Sequence, residues 1–161
     1  MKISKTTAQN IVNRAMKVIG KSVNVMDERG IIIASGNAGR LGQRHPGALL
    51  ALRDNKIVEI DRELAEQWRY EALPGINLPI TYLGKPLGVV GISGVPAEVS
   101  PYAELVKVTG ELIIEQGALL EQEHWNRRYQ EEFLLEAVRG SAKPADLKRR
   151  AAALGLGVSG R

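Results

Sequence analysis

SVNVMDERGIIIAS, residues Ser22–Ser35, is the stretch whose reading decides the fold. Val23 and Val25 alternate with polar neighbours, Arg29-Gly30 offers a turn, and Ile31 to Ala34 form an apolar return arm. Period-two alternation, a break and a second β-branched run read as a β-hairpin. On its N-terminal side, Ser4 is placed to cap a helix running to about Ile19. Ile11, Val12, Ala15, Met16 and Ile19 fall at helical spacing, with Gly20 just past the end. On its C-terminal side comes ASGNAGRLGQRHPGA, Ala34–Ala48, then a short apolar helix from Pro46 to about Arg53, proline being acceptable in a first turn.

Further out, KIVEI reads as a short strand, and Asp61 can cap ELAEQWRYEA. PGINLPITYLGKPLGVVGISGVP reads as a second hairpin, with arms Gly75–Tyr82 and Leu87–Ser93 around LGKP. Pro79 lacks an N–H and is expected at an edge or bulge. Ser100-Pro101 reads as a cap and first turn of a helix reaching Arg139, about 58 Å long at the standard rise. Its apolar pairs recur every seven residues: Leu105-Val106, Leu112-Ile113, Leu119-Leu120 and Phe133-Leu134, interrupted by Asn126-Arg127. That period favours packing along other helices, here the first helix and a second copy of the chain. After Gly140, SAKPADLKRRAAALGLGVSGR reads as the opening of another short helix. The expected class is α+β: a PAS-like antiparallel sheet with an N-terminal helix and a long C-terminal exit helix. Residues 1–139 form the expected domain and 140–161 the start of a linker.

Composition narrows the function. The chain has 161 residues, 44% of them hydrophobic, which suits one domain with a real core. No stretch of about eighteen apolar residues exists to span a membrane, and the polar start MKISKTTAQNIVNRAM does not read as a signal peptide. The absence of cysteine excludes disulfides and thiolate chemistry and fits a cytoplasmic location. The net charge of +4 comes from the two ends. Residues 1–21 carry five basic and no acidic side chains, residues 139–161 six basic and one acidic, leaving the middle at −6. A negative body is a poor partner for phosphate backbones.

The chemistry concentrates in the glycine-rich loop. Gly36, Gly39 and Gly42 permit backbone N–H groups to converge on an anion. Arg40 can grip a carboxylate through two parallel hydrogen bonds. His45 can donate from either ring nitrogen, and the helix at Pro46 aims its N-terminus at the loop. These features together point to a carboxylate or phosphate site, although glycine-rich loops with exposed Arg and His are also common as plain connections. The spacing is neither that of a P-loop nor that of a dinucleotide fingerprint. A second wall is offered by PGINLPI and GVVGISG. Asn77 carries both a donor and an acceptor for hydroxyls, and Gly88, Gly91 and Gly94 thin one face of the last strand, as ligand space or as bulges. Catalysis finds no base–nucleophile pair, and no metal-ligand spacing occurs. His45 and His124 are the only histidines, and His124 sits mid-helix beside Trp125 as a surface or interface residue.

NVMDERGIIIASGNAGRLGQRHPGA, GINLPITYLGKPLGVVGISGVPAEVSPYAELVKVTGELIIEQ and LKRRAAALGLGV resemble the sugar-diacid recognition domain of the bacterial carbohydrate diacid regulators. The resemblance covers nearly all of residues 5–138. It implies a sensor domain of a transcription activator that binds glucarate, galactarate or glycerate, with a DNA-binding helix-turn-helix beyond this chain. Ser35, Arg40, Gly42, His45 and Gly47 stand at the family's positions in the first block. Asn77, Leu78, Pro79, Gly91 and Gly94 do so in the second. The chain departs from the family pattern at Asn37 and Pro46, where acids are common, and at Ser93, where threonine is common. The expected ligand-binding set is Ser35, Gly36, Arg40, Leu41, Gly42, His45, Gly47, Asn77, Pro79 and Ser93. Arg44 or the backbone near Ser93 would serve a second carboxylate. No cofactor, metal, membrane contact or enzymatic activity is expected, and a homodimer is. The alternative is a dimerisation or interaction module with no small-molecule ligand.

Overall fold

A computed structural model describes residues 1–139. The continuation expected after Gly140 lies outside the described residues. The chain divides into two compact units, Met1–Gln116 and Gly117–Arg161.

The first unit opens with α1, Lys5–Ile19. Ser4 caps it by accepting from the Thr7 N–H, and Gly20 closes it in the left-handed conformation. β1 (Val23–Met26) and β2 (Ile32–Ser35) form the first hairpin. Its turn is held by Asp27, whose Oδ1 accepts from the Arg29 and Ile31 N–H groups at 2.9 and 3.0 Å. A single 3-10 turn, Ala38–Arg40, and α2, Pro46–Asp54, follow. Then come β3 (Val58–Ile60), α3 (Arg62–Gln67, capped by Asp61), β4 (Gly75–Tyr82) and β5 (Lys85–Ser93). The five strands make one antiparallel sheet in the order β2-β1-β5-β4-β3. With α1 before it and a long helix after it, this is the expected α+β, PAS-like plan.

Some boundaries differ from expectation for local reasons. β5 begins at Lys85 because Leu83 and Gly84, both at positive φ, make a two-residue hairpin turn by themselves. α3 stops at Gln67, and Arg69 and Tyr70 take positive φ soon after. The last helix, α4, spans Pro96–Arg139, so Ser100-Pro101 lies inside it and is not its start. Pro96 occupies the first turn, and the Val95 carbonyl accepts from the Glu98 and Val99 N–H groups. Pro101 then removes only one backbone bond near the helix start. Pro79 falls where β4 has a partner on one side, since β3 reaches only to Val58 opposite Asn77.

The two sheet faces bury different things. Val23, Val25, Ile76, Leu78, Ile80, Val90 and Ile92 pack under α1 and the first turns of α4, against Ile11, Val12, Val99, Ala103 and Val106. Gly110 of α4 lies close to Ile11 and Ile80. Beneath α2, Met26, Ile32 and Val89 meet Ala48 and Ala51. In the second unit, residues 117–139 continue α4, with Leu119, Leu120, Trp125, Leu134 and Leu135 exposed.

Candidate functional site

Strand alternation places the candidate site on the α2 face. Residues directly opposite in antiparallel strands share a face. The register therefore lines up Ser35, Asn24, Gly91, Asn77 and Val58 as one row across all five strands. Three of these are buried polar residues: Ser35, Asn24 at 3% exposure and Asn77 at 2%. The neighbouring row, Ile32, Met26, Val89 and Pro79, is apolar and buried. The row on the other side runs Ile60, Gly75, Ser93.

Above the polar row sits the start of α2. His45 is buried, at 4% exposure, and is the N-cap of α2; its Nδ1 accepts from the Ala48 N–H at 3.2 Å. A neutral imidazole that accepts at Nδ1 carries its proton on Nε2, so His45 donates from one nitrogen, not from either. Burial, reinforced by the charge on Arg40, lowers its pKa from 6.5 to about 4. Gly47 is the point of closest approach. A Cβ added there would lie 2.7–3.1 Å from Ile60 Cδ1, Asn77 Nδ2 and His45 Cε1. Only glycine lets helix, histidine and asparagine converge this tightly. The Asn77 carboxamide turns its oxygen to the other side, 3.0 Å from where a Cβ on Gly91 would be. That Oδ1 is buried without a hydrogen-bond partner.

Arg40 ends the 3-10 turn and is partly buried. Desolvation lowers its pKa. Among the described residues no Asp or Glu forms an ion pair with it. Its charge is one of the causes depressing the His45 pKa, which places the two groups in one electrostatic neighbourhood.

The loop backbone departs from expectation. The N–H groups of Gly36, Gly39 and Gly42 do not converge on a common point. They donate to the Val23 carbonyl, to Asn37 Oδ1 and to the Ile32 carbonyl. Ile32 N–H to the Gln43 carbonyl and His45 N–H to the Gly30 carbonyl complete a seam along the outer edge of β2. The loop thus covers an edge strand that would otherwise be open. Of the three glycines only Gly42 takes a positive φ, 82°, and it does so to turn back onto that edge. In the first turn of α2, Pro46 has no N–H, while Ala48 and Leu49 donate to the His45 carbonyl. Gly47 N–H is the first-turn donor left over.

The expected residues therefore separate. His45, Gly47 and Asn77 come together, Arg40 acts on His45 through its charge, and Ser35 lies on the same row as Asn77. Ser35 Oγ donates to Asn24 Oδ1 and accepts from the Asn37 N–H. Gly36 instead packs on α1, where a Cβ would collide with the Met16 thioether. Leu41 and Arg44 are exposed, Pro79 belongs to the apolar row, and Ser93 is half-buried opposite Gly75. Asn24 was missed. Its alternation with Val23 and Val25 reads as a solvent-facing position until α2 and the loop are known to cover that face. His124 and Trp125 are exposed on α4.

Residues 3–137 match the protein family described as sugar diacid recognition. A protein of Haemophilus influenzae is 61% identical over 151 residues, which cover 94% of this chain and 41% of that protein. The carbohydrate diacid regulator of Escherichia coli is 37% identical over 152 residues, 94% of this chain and 39% of the regulator. The chain thus spans about two fifths of the length of these curated relatives. In three dimensions the chain is similar to the GAF domain of an Acinetobacter phosphoenolpyruvate-protein phosphotransferase. The TM-score is 0.50 at 15% identity, over 74% of this chain and 86% of that one, a likeness of fold.

Proposed function

The chain belongs to the sugar diacid recognition family, and from that premise we propose that it is the ligand-sensing domain of a transcriptional regulator, binding a small hydroxylated carboxylate such as glucarate, galactarate or glycerate. One observation carries the reading: a partly buried guanidinium with no acidic partner among the described residues acts on a neutral histidine that converges with Asn77, whose amide oxygen is buried and unpaired. A desolvated charge lacking an internal counter-ion is costly unless an external one arrives.

Arg40 clamps the carboxylate. His45 Nε2–H and the Gly47 N–H donate to the same group or to a neighbouring hydroxyl, and Asn77 meets hydroxyls from the sheet side. A second carboxylate would fall to Arg44 or to the backbone near Ser93. The role is binding, not catalysis. The E. coli relative is named a carbohydrate diacid regulator; on our reading this chain would serve a cytoplasmic regulator of that kind, with a DNA-binding part outside this chain and a signal passed through α4 in a homodimer. Residues 140–161 would begin the connection, with 1–139 as the sensor. The ligand shifts the balance between two states only by its differential affinity for them.

Removing the clamp tests the assignment. Arg40→Ala should weaken binding of galactarate or glycerate by about 2–5 kcal/mol, the cost of losing one partner of a hydrogen-bonded charge pair. Unchanged affinity in calorimetry would refute the role of Arg40. The second reading, a dimerisation module without a ligand, draws on the exposed Leu105, Leu112 and Leu119 of α4. A thermal-shift screen separates the two, since a ligand that binds only the folded state raises the melting temperature.

A further inference from the structure

We infer that Ser35 and Asn24 are positioning residues: through a series of hydrogen bonds they tie the turn that carries Arg40 to the interior of the sheet, and so set the guanidinium where it meets a carboxylate. The inference rests on the carboxylate site proposed above and names what holds its clamp in place.

The connection runs bond by bond. Asn24 lies on β1, which pairs with β2 on one side and β5 on the other, and the residue is 3% exposed. Ladders on both sides fix its position. Ser35 stands directly opposite on β2 and donates its hydroxyl hydrogen to Asn24 Oδ1. The same hydroxyl oxygen accepts from the Asn37 N–H at 2.9 Å. Asn37 is the N-cap of the 3-10 turn: its Oδ1 accepts from the Gly39 N–H at 3.0 Å, and its carbonyl accepts from the Arg40 N–H at 3.0 Å. An unbroken series of hydrogen bonds thus leads from a buried amide on an inner strand to the backbone of Arg40.

The residue types suit that connection. A branched apolar pair at these two opposed positions would also join β1 to β2, but it would leave the Asn37 N–H without its acceptor. A hydroxyl donates and accepts at once, so Ser35 passes the link from a side chain to the backbone beyond the strand. Asn24 supplies the acceptor that turns the hydroxyl hydrogen inward and a lone pair toward Asn37. Ser35 therefore serves the ligand through Arg40 and not by touching it. The turn's other attachment lies beyond Arg40, where Gly42 N–H meets the Ile32 carbonyl and Ile32 N–H meets the Gln43 carbonyl, both at 2.9 Å. With the Ser35 link cut, that seam still holds the loop on β2, while residues 37–40 are held from one end only. A binding group works to the extent that its supporting shell is fixed.

Ser35→Thr and Ser35→Val share a shape and differ in the hydroxyl, and Asn24→Ala acts one bond further back with Ser35 intact. All are made in the whole 161-residue chain. In ligand-free protein, nitrogen-15 relaxation should give Gly39 and Arg40 N–H order parameters of about 0.85 in the wild type and Ser35→Thr, and about 0.6 in Ser35→Val and Asn24→Ala. Ile32 and Gly42 should stay at about 0.85 throughout. By calorimetry with galactarate and glycerate, the acid that binds the wild type should bind Ser35→Val and Asn24→Ala about tenfold more weakly, and Ser35→Thr within about threefold. Added to Arg40→Ala, either change should weaken binding by less than about twofold more, since it acts through the missing side chain. A turn that stays rigid in Ser35→Val and Asn24→Ala overturns the inference and leaves the carboxylate site standing; weaker binding with a rigid turn would make the two residues direct contacts. A loosened turn with unchanged affinity also overturns it, as does an equal loss of rigidity at Ile32 and Gly42, which would reflect general stability. If neither acid binds the wild type, the carboxylate reading itself fails and the positioning role goes with it. Should Ser35→Val fail to fold, Asn24→Ala carries the same test.

Discussion

The two faces of the sheet are made from the same strands and have opposite characters. Toward α1 and α4, β1, β4 and β5 present Val23, Val25, Ile76, Leu78, Ile80, Val90 and Ile92. One residue along each strand, toward α2, they present Asn24, Asn77 and Gly91. The first face is interdigitated branched hydrocarbon, which stabilises the fold by burial alone. The second keeps polar atoms out of water, one of them unpaired, and has a glycine where a Cβ would press on Asn77 and Met26. On the proposed reading, period-two alternation divides stability from recognition within single strands. Leu78 and Asn77 are adjacent in sequence and lie on opposite faces.

Three experiments would break or sharpen that division. The largest effect belongs to the hydrocarbon face. Leu78→Ala should cost about 3–4 kcal/mol in a denaturant titration, while the folded fraction binds its acid within about twofold of wild type. Binding lost in protein that is still folded would show that the faces are not separate.

Next comes His45. Its pKa is depressed from 6.5 to about 4, chiefly by burial. Between those values the unfolded chain takes up a proton that the folded chain refuses, so stability falls as pH drops from about 6.5 to about 4. The fall should be roughly 2–3 kcal/mol. His45→Asn keeps a capping oxygen without a titrating ring and should flatten melting temperature against pH across that window. A slope identical to wild type would assign the loss to other groups.

The smallest stability effect is expected at Gly91. Gly91→Ala should leave stability within about 1 kcal/mol, since a strand gains from losing a glycine while Asn77 and Met26 must shift slightly. On the proposed reading its binding should nonetheless fall at least tenfold, because the methyl displaces the Asn77 carboxamide. Binding that persists would move the ligand off this row.

Much of the fold was legible because its signals are local. Ser4 and Gly20 bound α1 as their chemistry demands, and both hairpins followed from alternation and turn residues. Ser100-Pro101 misled because a serine before proline looks the same at a helix start and inside a helix whose first turn is already formed. The site was legible in residue type and less so in use. Arg40, His45 and Asn77 stand out as residues, but the loop glycines' N–H groups are engaged within the fold, that of Gly42 along the edge of β2. That pairing joins residues 30–32 to 42–45 and is invisible to any local pattern. Asn24 was hidden by the same kind of fact, since only a tertiary contact turns its face of the strand from wet to buried.

The imidazole that starts α2 performs its capping role only while uncharged, because a protonated ring has no lone pair to offer Ala48. In the proposed site His45 would therefore add no positive charge to that of the arginines while it caps α2. Long-range attraction of an acid would rest on guanidinium groups, and added electrolyte would screen it. What distinguishes one visiting acid from another is then settled at short range, after arrival.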